Sequence, residues 1–544
     1  MAKSAKKIKP PKGTRDLYPE DVLRQRYITN AWRDASIRCG FDEIAGPTFE
    51  STDLYAVKSG DGILGELFQA FSGKSEREIE KVKATGQAEY ALRPEFTPTL
   101  ARMYAAKSKE LPKPCKWFTA GPYFRAERPQ RGRLREFLQW NVDVIGLPGE
   151  DATPESKAQV DAEIMECSVR LFDLLGLTSK IVTLKVSERN IITQALRHSE
   201  VAEAHIQAAF ELLDARPKMS VPAFNEKVNQ SNTNLSVQNF DNTLSVLKAL
   251  FHRDLGDTML KRTKTSGVPI RFLLEAGREN GPRSYNEEEF SQLAQRAHEL
   301  SDGYTETTSR HKFEFYDFQF VLDYLEKSCG ANWYEFDPSI VRGLAYYTGT
   351  VFEALADGER AVAGGGRYDN LIELFGGPPT PACGFGMGDV VLSNLLDDKE
   401  LMPEGLELME AVARPQASIR PEAFVVPNGD EDNESLVHTL TANLRRGIES
   451  ESWIADENRK PWNADRYAVA PLHARISYKS TRKINKLRDD AMKQHAKFFI
   501  VIHAEDNAEL HNLDTHETVG TFSTNPAADN YIGQAIRNAI AGGR

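Results

Sequence analysis

The sequence is poor in cysteine and has no long apolar segment. Its 544 residues include five cysteines, and no two of them form a Cys-x-x-Cys pair. The sequence therefore indicates neither a zinc site nor a disulfide framework. This cysteine usage fits a reducing compartment, and we expect a cytoplasmic protein. No apolar run approaches the roughly 20 residues that a transmembrane helix needs, so we expect no membrane partner.

Several short catalytic motifs are also missing. The sequence contains neither Gly-x-Ser-x-Gly nor His-Glu-x-x-His, which argues against the usual serine-nucleophile and zinc-peptidase arrangements. Residues 364–366 are three consecutive glycines, but no Gly-Lys-Ser/Thr follows them, so they do not form a Walker loop. No set of metal ligands can be assigned from the sequence.

An excess of positive charge is missing as well. The net charge of −11 argues against a protein held on nucleic acid by bulk charge, although a local basic face remains compatible with RNA binding. Residues 1–12 form a lysine-rich tail without the apolar core of a secretory signal. We interpret this tail either as a solvated segment or as an extra contact to RNA phosphates.

Hydrophobic periodicity predicts the elements of the N-terminal part. They are a helix from Pro19 to about Cys39-Gly40, a short strand at 41–50 broken by Gly46-Pro47, a strand that runs into a helix at 90–104, and a helix at 155–175. Two aromatic strands, 116–124 and 137–146, flank a basic stretch. This order predicts a hairpin with an arginine-rich turn.

The length of the whole chain predicts three or four domains of about 150 residues. Beyond the N-terminal part, the predicted secondary structure changes several times. The predicted units are a basic tail at 1–12, a first segment at 13–185, a mainly helical insertion at 186–330, a second segment at 331–402, a linker at 403–421 and a C-terminal domain at 422–544. No role is predicted for the insertion or for the segment at 458–475.

Strands and helices alternate in the C-terminal domain. The predicted strands lie at 424–426, 453–454, 498–502 and 518–522. A first predicted helix carries Leu436, Leu440 and Leu444. Two further helices are predicted at about 480–496 and at 526–540. This alternation predicts a small α/β domain with a largely parallel sheet. Before this domain, in the segment at 331–402, strands are predicted at 339–355 and again after 364–368.

The turn of the predicted hairpin is the densest candidate site. Within eleven residues it contains one acid and five arginines, namely Glu127, Arg125, Arg128, Arg131, Arg133 and Arg135. A planar guanidinium group can donate to two phosphate oxygens at once. This turn is therefore suited to binding a triphosphate, the end of a tRNA, or both. A solvated charged turn is the alternative, and the aromatic strands on both sides favour the functional interpretation.

Two further segments carry candidate residues. Arg342 lies in an apolar strand just before Tyr346 and Tyr347, and a buried arginine needs an anionic partner, either a bound phosphate or a structural carboxylate. The two tyrosines are either core aromatics or ligand contacts. Glu95 and Thr97 lie where a strand meets a helix and either bind an ammonium group or cap the helix. An arginine-rich site without a nucleophile suits nucleotidyl or phosphoryl transfer.

Together these segments resemble the histidyl-tRNA synthetases, which are class II aminoacyl-tRNA synthetases. The resemblance runs along nearly the whole chain and rests on KGTRDLYPED (12–21), FDEIAGPTFE (41–50, with the motif 1 proline at Pro47), LRPEFT (92–97), FRAERPQRGRLREF (124–137, motif 2), VRGLAYYTGTVFE (341–353) and GGGRYDNLIELFGG (364–377). It implies an α/β multidomain protein whose catalytic domain is built on an antiparallel sheet. A helical insertion, a C-terminal α/β anticodon-binding domain and a homodimer are also implied.

The resemblance implies a role for each candidate residue. The histidine-binding residues would be Glu95, Thr97, Gln139, Asp143, Tyr346 and Tyr347. The catalytic arginines would be Arg125 and Arg342, and the ATP-binding residues would be Arg125, Arg133, Phe137 and Arg342. Gln130 and Arg135 would face the acceptor end of the tRNA. A basic helix would provide the anticodon-binding face through Lys479, Arg482, Lys483, Lys486 and Arg488.

This sequence departs from the family pattern at three positions. Motif 3 normally carries an arginine for the ATP γ-phosphate, and here Val391 takes that place with Asp389 nearby. Either another arginine substitutes for it in binding ATP, with Arg367 as the candidate, or ATP binding is impaired. Asp143 stands where the family often has glutamate, and Ala345 replaces the commoner aspartate.

The resemblance implies a reaction with ATP and Mg²⁺. Histidine and ATP would give histidyl-adenylate and pyrophosphate, and the histidyl group would then pass to tRNA-His. Two alternatives remain open: a non-catalytic histidine sensor, similar to the regulatory subunit of ATP phosphoribosyltransferase, and a tRNA-binding regulator without charging activity. The missing motif 3 arginine favours the sensor, whereas the C-terminal domain and the remaining arginines count against it.

Overall fold

A computed structural model describes most of the chain. It covers residues 8–59, 65, 67–148, 153–216, 219–231, 233–250, 287–301, 314–341, 346–429, 433–479 and 481–542. Arg342 and Ala345 lie outside the described residues, as does most of the basic tail. Within the described residues, no helix is both long enough and apolar enough to cross a membrane.

The catalytic part is built on an eight-stranded sheet in the order β1-β5-β6-β11-β10-β9-β7-β8. Its strands are β1 (Asp42–Glu43), β5 (Cys115–Phe124), β6 (Glu136–Ile145), β7 (Val182–Glu188), β8 (Tyr334–Phe336), β9 (Thr350–Ala356), β10 (Ala363–Arg367) and β11 (Ala382–Gly388). Neighbouring strands are antiparallel except for the outer pairs β1–β5 and β7–β8. The predicted antiparallel catalytic sheet is confirmed.

The predicted arginine-rich hairpin is the pair β5–β6. The two strands stay in register from Cys115 opposite Ile145 to Phe124 opposite Glu136. Ten residues in each strand place the turn at 125–135 well beyond the body of the sheet. The strand predicted at 339–355 occupies only Thr350–Ala356 of the described residues, and the glycine run lies inside β10 rather than before a strand.

The remaining strands of the catalytic part form a small sheet in the order β2-β4-β3. They are β2 (Phe49–Ser51), β3 (Gln69–Ala70) and β4 (Tyr90–Leu92). The segment at 41–50 is therefore divided between two sheets, as the break at Gly46-Pro47 predicts. The buried guanidinium of Arg93 fixes that break, because it donates to the carbonyl oxygens of Gly46 at 3.1 Å and Pro122 at 2.9 Å.

Helices cover the sheet and build the insertion. Up to the start of the insertion they are α1 (Pro19–Arg38), α2 (Thr52–Ser59), α3 (Glu76–Thr85), α4 (Thr97–Lys107) and α5 (Pro154–Leu174). Those of the insertion are α6 (Arg189–His198), α7 (Ile206–Ala215), α8 (Val221–Gln230), α9 (Val237–Leu250), α10 (Glu287–Ser301) and α11 (Glu314–Cys329). Two further helices close the catalytic part, α12 (Leu371–Leu374) and α13 (Asp389–Asp398).

The insertion shares its core with the main sheet. Phe210, Phe240 and Phe318 are buried in the same apolar cluster as Trp140 and Phe385 of the sheet. Strand β7 continues to Glu188, so the predicted boundary at 185/186 falls inside a strand. We infer that the insertion is held against the catalytic sheet by apolar burial.

The C-terminal part is an α/β domain, as predicted, but its sheet is mixed. The sheet order is β15-β12-β16-β17-β18, formed by β12 (Ala423–Pro427), β15 (Ala474–Ile476), β16 (Phe498–Ala504), β17 (Asn507–Asn512) and β18 (Glu517–Phe522). The pairs β12–β15 and β12–β16 are parallel, whereas β16–β17 and β17–β18 are antiparallel. The expectation of a largely parallel sheet was thus right for only three of the five strands.

Helices α15 (Glu434–Arg446), α16 (Glu451–Ala455), α17 (Ile484–Lys493) and α18 (Ile532–Gly542) complete this domain, with a short pair β13 (Ile448–Glu449) and β14 (Tyr467–Val469). The strand predicted at Trp453-Ile454 is wrong, because Ser450 caps a helix there through the Trp453 amide. The predicted linker also contains a helix, α14 (Gly405–Ala413), which packs on α1.

Buried charges fasten the C-terminal domain to α5. The ammonium of Lys116 contacts Glu163 at 2.8 Å and the hydroxyl of Tyr478 at 3.0 Å, and Arg445 pairs with Glu166 at 2.9 Å. Arg466, from the segment to which no role was predicted, donates to the carbonyl of Asp173 at 2.7 Å. That segment therefore caps the C-terminal end of α5 and joins the two domains.

Candidate active site

A cavity of about 1050 Å³ opens between the sheet, the hairpin turn and the insertion. Nine residues singled out from the sequence line it: Glu95, Thr97, Arg125, Arg133, Phe137, Gln139, Asp143, Tyr346 and Tyr347. They come from three separate stretches of chain, at 95–97, 125–143 and 346–347, and the fold brings them together. Glu211 and Asp214 of α7 also line the cavity, so the insertion forms part of its wall.

Glycines on β10 and β11 make room for the polar side chains of β6. Gly384 lies directly opposite Asp143 in the ladder, and a Cβ at this glycine would overlap the Asp143 carboxylate. The neighbouring Gly386 faces Gln139, whose amide nitrogen would lie 3.0 Å from an added Cβ. The glycines at these two positions of β11 therefore create the depth of the cavity.

One end of the cavity combines a carboxylate with phenols. Asp143 is 3% exposed and accepts a hydrogen bond from the hydroxyl of Tyr368, which is 2% exposed. Burial, followed by the charge of Asp143, raises the pKa of Tyr368 well above its usual range, so this phenol remains protonated as a donor. Tyr346 packs beside Tyr347 and Tyr368, with ring centroids 4.6 Å and 6.3 Å apart.

Tyr368 was not singled out from the sequence. It lies two positions after Gly366 and immediately after the end of β10, which contains the glycine run. A tyrosine just after a glycine-rich strand has no sequence pattern that separates a ligand contact from a core residue. Only the folded structure, in which its hydroxyl donates to Asp143, identifies Tyr368 as part of the site.

The other end of the cavity is cationic. The guanidinium of Arg125 lies over the ring of Phe137, 5.1 Å from its centroid, and donates to the carbonyl of Pro94 at 3.2 Å. It also contacts the Gln139 side-chain oxygen at 3.5 Å. Arg133 forms an ion pair with Glu127 inside the turn. These contacts orient two guanidinium groups toward the same space, as a phosphate site requires.

Arg367 does not belong to this cationic end, and the expectation that it substitutes for the motif 3 arginine is wrong. It is 3% exposed and donates to Asp161 at 2.8 Å, to Asp369 at 2.9 Å and to the carbonyl of Lys157 at 2.9 Å. Burial is the largest influence and opposes its charge, but the negative groups around it, Asp161 first among them, together outweigh burial and raise the pKa of Arg367. Arg367 is thus committed to a structural ion pair.

The motif 3 region shows what occupies the place of the missing arginine. Val391 lines the cavity. Asp389 accepts hydrogen bonds from Arg15 at 2.8 Å and from the amide of Leu138 at 2.9 Å. It thereby ties the N-terminal segment to β6. Arg360, in the turn between β9 and β10, also lines the cavity; sequence analysis missed it because a lone arginine in a turn forms no pattern.

The two hairpin residues assigned to the tRNA lie outside the cavity. Gln130 and Arg133 exchange backbone hydrogen bonds at 3.0 and 2.9 Å and close the tip of the turn. Arg135 donates to the carbonyl of Glu127 at 3.1 Å, and its amide binds the carbonyl of Gly13 at 2.8 Å. Arg135 therefore supports the turn and the N-terminal segment.

The basic residues of the C-terminal domain occupy one edge of it. The helix in this region, α17, begins only at Ile484, so Lys479, Arg482 and Lys483 precede it. Lys479 pairs with Asp490 at 3.1 Å, and Arg488 packs over the ring of Phe499, 5.6 Å from its centroid. Arg482, Lys483 and Lys486 are exposed.

Metal-binding side chains do not cluster in the part of the chain that the structure describes. No group of three or more histidine, cysteine, aspartate or glutamate side chains could hold an ion there. The carboxylates that line the cavity include Glu353 and Glu359. Such oxygen ligands suit Mg²⁺ when a phosphate ligand supplies the remaining positions.

Comparisons with known proteins agree with one another. A family model described as histidyl-tRNA synthetase matches residues 13–265 and 288–389. The chloroplastic/mitochondrial histidine–tRNA ligase of Arabidopsis thaliana is 31% identical over 433 residues, which are 79% of this chain and 74% of that protein. The histidine–tRNA ligase of Opitutus terrae is 34% identical over 393 residues, which are 72% of this chain and 75% of that protein.

Among solved structures, a histidine–tRNA ligase subunit from Alicyclobacillus acidocaldarius is similar to this chain with a TM-score of 0.49 and 20% identity. The match covers 73% of this chain and 100% of that one.

Proposed function

This chain belongs to the histidyl-tRNA synthetase family, and on that premise we propose that it is a histidine–tRNA ligase. It activates histidine with ATP, releasing pyrophosphate, and transfers the histidyl group from the adenylate to the 3′ end of tRNA-His. The observation that carries this proposal is the composition of the cavity. A single space of about 1050 Å³ has a carboxylate–phenol end and an arginine end.

The carboxylate–phenol end suits the imidazole ring. Neutral imidazole has one N–H donor and one acceptor nitrogen. Asp143 accepts from the donor, and a tyrosine hydroxyl, from Tyr347 or Tyr346, donates to the acceptor. Amino acids of similar size without this pair of groups leave the polar wall unsatisfied, which is costly inside a cavity. Glu95 and Thr97 bind the α-ammonium group, and Gln139 contacts the amino acid between the two ends.

The arginine end suits the triphosphate. Arg125 neutralises the α-phosphate and orients the carboxylate of histidine for attack, and Arg133 contacts the outer phosphates. Phe137 supports the adenine ring. In-line displacement at the α-phosphate builds negative charge that fixed guanidinium groups stabilise without reorganisation. Arg342, outside the described residues, is assigned to the same phosphate by its place in the motif.

Mg²⁺ belongs to the proposal as a partner of ATP rather than as a resident metal. It usually binds through one or two carboxylates together with substrate phosphates, and Glu353 is a carboxylate in the cavity wall. When bound, it lowers the negative charge of the phosphates. The protein residues then orient the histidine carboxylate and the α-phosphate.

The tRNA contacts follow from the position of the basic residues. Gln130 and Arg135 lie in the turn beside the cavity, where the acceptor end must arrive to receive histidine. The exposed groups of Arg482, Lys483 and Lys486, with Lys479 and Arg488 beside them, form a basic edge that suits the anticodon stem. We propose that the enzyme works as a homodimer in the cytoplasm, where its free cysteines remain reduced.

A histidine sensor without catalysis is the second candidate, and the apolar Val391 in the cavity favours it. Arg125 and Arg133 count against it, because a sensor needs no phosphate site. ATP binding separates the two functions, since only the ligase requires it.

The experiment is histidine-dependent exchange of pyrophosphate into ATP, with Arg125→Ala as the test variant. We expect the exchange to require histidine and to fall by about 10²–10³-fold in this variant, because one fixed donor to the developing charge is lost. Arg128→Ala is the matched control, since Arg128 is exposed in the same turn and does not line the cavity. It should exchange at the wild-type rate. Well-folded wild-type protein that binds histidine without exchange would instead support the sensor.

A further inference from the structure

Arg360 is an arginine at the mouth of the cavity whose charge is not used by the protein. It lies in the turn between β9 and β10, is exposed and lines the cavity. Within the described part of the chain it forms no ion pair or side-chain hydrogen bond. Arg125 and Arg133, by contrast, already contact protein groups. Arg360 is therefore the cavity arginine that is most available to a ligand.

Its location is next to Val391. A Cβ built on Gly132 of the hairpin turn would lie 3.1 Å from Cγ2 of Val391 and 3.4 Å from Cδ of Arg360. The two side chains thus flank the same glycine, and Gly132 directly precedes Arg133 in the turn. The stem of Arg360 enters the space beside Val391 from the neighbouring turn, so its guanidinium reaches the region that the apolar valine leaves uncharged.

The turn that carries Arg360 is held in place by a separate arginine. Arg131 of the hairpin turn pairs with Glu359 at 2.6 Å and with Asp398 at 2.7 Å, and the Glu359 side chain is only 5% exposed. The pair with Glu359 joins the two turns at the cavity mouth, and the pair with Asp398 ties the hairpin turn to the end of α13. The ion pairs of Arg131 therefore hold the turn that carries Arg360, and the guanidinium group of Arg360 takes no part in them.

An anion that enters this end meets three guanidinium groups. A triphosphate carries several negative charges, and bidentate arginine contacts are the usual means by which proteins bind them. Arg125 belongs to the inner part of the cavity through Pro94 and Gln139, whereas Arg360 lies at the outer part beside Gly132. This order along the cavity matches the order of phosphates in ATP, from the adenylate that stays to the pyrophosphate that leaves.

We propose that Arg360 binds the terminal phosphates of ATP and so supplies the positive charge that Val391 cannot. This inference rests on the proposed function, because it assumes that ATP occupies the cavity with its α-phosphate at Arg125. Arg360 is a binding residue for the pyrophosphate portion. It stabilises that portion in ATP and in the leaving group, and it does not contact the histidine end.

The test compares nucleotides that contain and lack the terminal phosphates. ATP and AMP are titrated by calorimetry against wild-type protein and Arg360→Ala, and pyrophosphate exchange gives the KM values for ATP and histidine. We expect Arg360→Ala to weaken ATP binding by about 10-fold or more, the effect of one lost charge-assisted contact. AMP binding and the histidine KM should stay within about twofold of wild type, and Arg360→Lys should restore part of the ATP affinity.

Arg77→Ala is the matched control, because Arg77 is exposed on α3 and does not line the cavity. It should leave both affinities unchanged. If Arg360→Ala weakens ATP and AMP equally, or neither, while the wild-type enzyme exchanges pyrophosphate, the assignment of Arg360 is overturned and the proposed function stands. If the wild-type protein itself shows no exchange and binds no ATP, the proposed function fails and the assignment of Arg360 fails with it.

Discussion

The hydroxyl of Tyr368 donates a hydrogen bond to Oδ1 of Asp143 in the interior of the main sheet. Tyr368 follows β10 directly, and Asp143 lies on β6, two strands away across β11. The contact passes over Gly384, which has no side chain to separate the two groups. The phenol stabilises the ionised form of a carboxylate that is 3% exposed. Asp143 is thereby kept as an acceptor for a ligand N–H.

Replacing Tyr368 with phenylalanine should weaken histidine binding. The variant removes one donor from a buried carboxylate, and a hydrogen bond to a charged group is worth roughly 1.5–3 kcal/mol. We expect the histidine KM in pyrophosphate exchange to rise by about 10-fold or more, with the ATP KM unchanged. Tyr123→Phe is the control, because Tyr123 is also buried and its hydroxyl has no hydrogen-bond partner in the described residues. Equal KM values for the two variants would contradict the role of Tyr368.

Adding a single methyl group at Gly384 should damage the same end of the cavity. The new Cβ would overlap the Asp143 carboxylate and must push it out of place. We expect Gly384→Ala to raise the histidine KM by at least about 10-fold while the protein remains folded. Gly388→Ala, on the same strand, is the control, since its Cβ would lie 3.9 Å from Phe137, an ordinary contact. Normal histidine binding by Gly384→Ala would show that Asp143 does not contact the substrate.

The sequence predicted those parts of the fold in which local patterns decide the structure. The hairpin β5–β6 follows from two alternating aromatic strands around a polar turn, and α1 follows from its periodicity and the proline at its first turn. The strand predicted at Trp453-Ile454 failed because a serine cap outweighed two apolar residues. Antiparallel pairing in the C-terminal sheet was missed because β17, which pairs with both β16 and β18, was not predicted as a strand.

The structure brings the candidate residues into one cavity where a motif fixed both residue type and place. Sequence patterns did not predict the environment of a side chain where that environment depends on a partner far away in the sequence. Arg367 and Arg360 are only seven residues apart in the sequence. Their environments differ because Asp161, more than two hundred residues away, takes up the charge of Arg367. No local pattern distinguishes a buried ion pair from a cation that faces a cavity.

Arg367→Ala should lower stability rather than ATP affinity. The variant leaves Asp161 buried without its partner, and breaking a buried ion pair in this way costs roughly 3–5 kcal/mol. We expect a lower urea midpoint in equilibrium unfolding and an ATP KM near that of wild type in the folded fraction. Arg367→Met combined with Asp161→Leu should recover part of the loss, because the fully buried carboxylate is then removed together with its partner and only the half-buried Asp369 loses a contact. Normal stability with a selectively raised ATP KM would restore Arg367 as a phosphate ligand.

His473 should make the protein less stable in acid. Its Nδ1 lies 2.8 Å from the carbonyl of Ser418 and its Nε2 accepts from Arg475 at 3.0 Å, an arrangement that requires a neutral ring. Burial and then the charge of Arg475 lower the pKa of His473 from 6.5 to about 3. Because the unfolded chain binds the proton first, this contribution to stability is full above pH 6.5. It is lost progressively as the pH falls from 6.5 toward 3.

The measurement for His473 is the free energy of unfolding in urea at several pH values below 6.5. Wild-type protein should lose up to about 1.4 kcal/mol per pH unit through this one group. His473→Asn keeps a donor to Ser418 without a titrating ring, so its slope should be smaller by that amount, whatever its stability at neutral pH. Identical slopes for the two proteins would mean that His473 is protonated in the native state.

The most direct test of the central claim is transfer of labelled histidine to a tRNA-His transcript, with and without ATP. The account predicts charging that requires ATP, that is specific for histidine, and that is lost in Arg125→Ala but not in Arg128→Ala. Charging by the wild-type protein would also show that the enzyme functions with valine at position 391. A folded wild-type protein that binds histidine yet charges no tRNA in the presence of ATP would contradict the account.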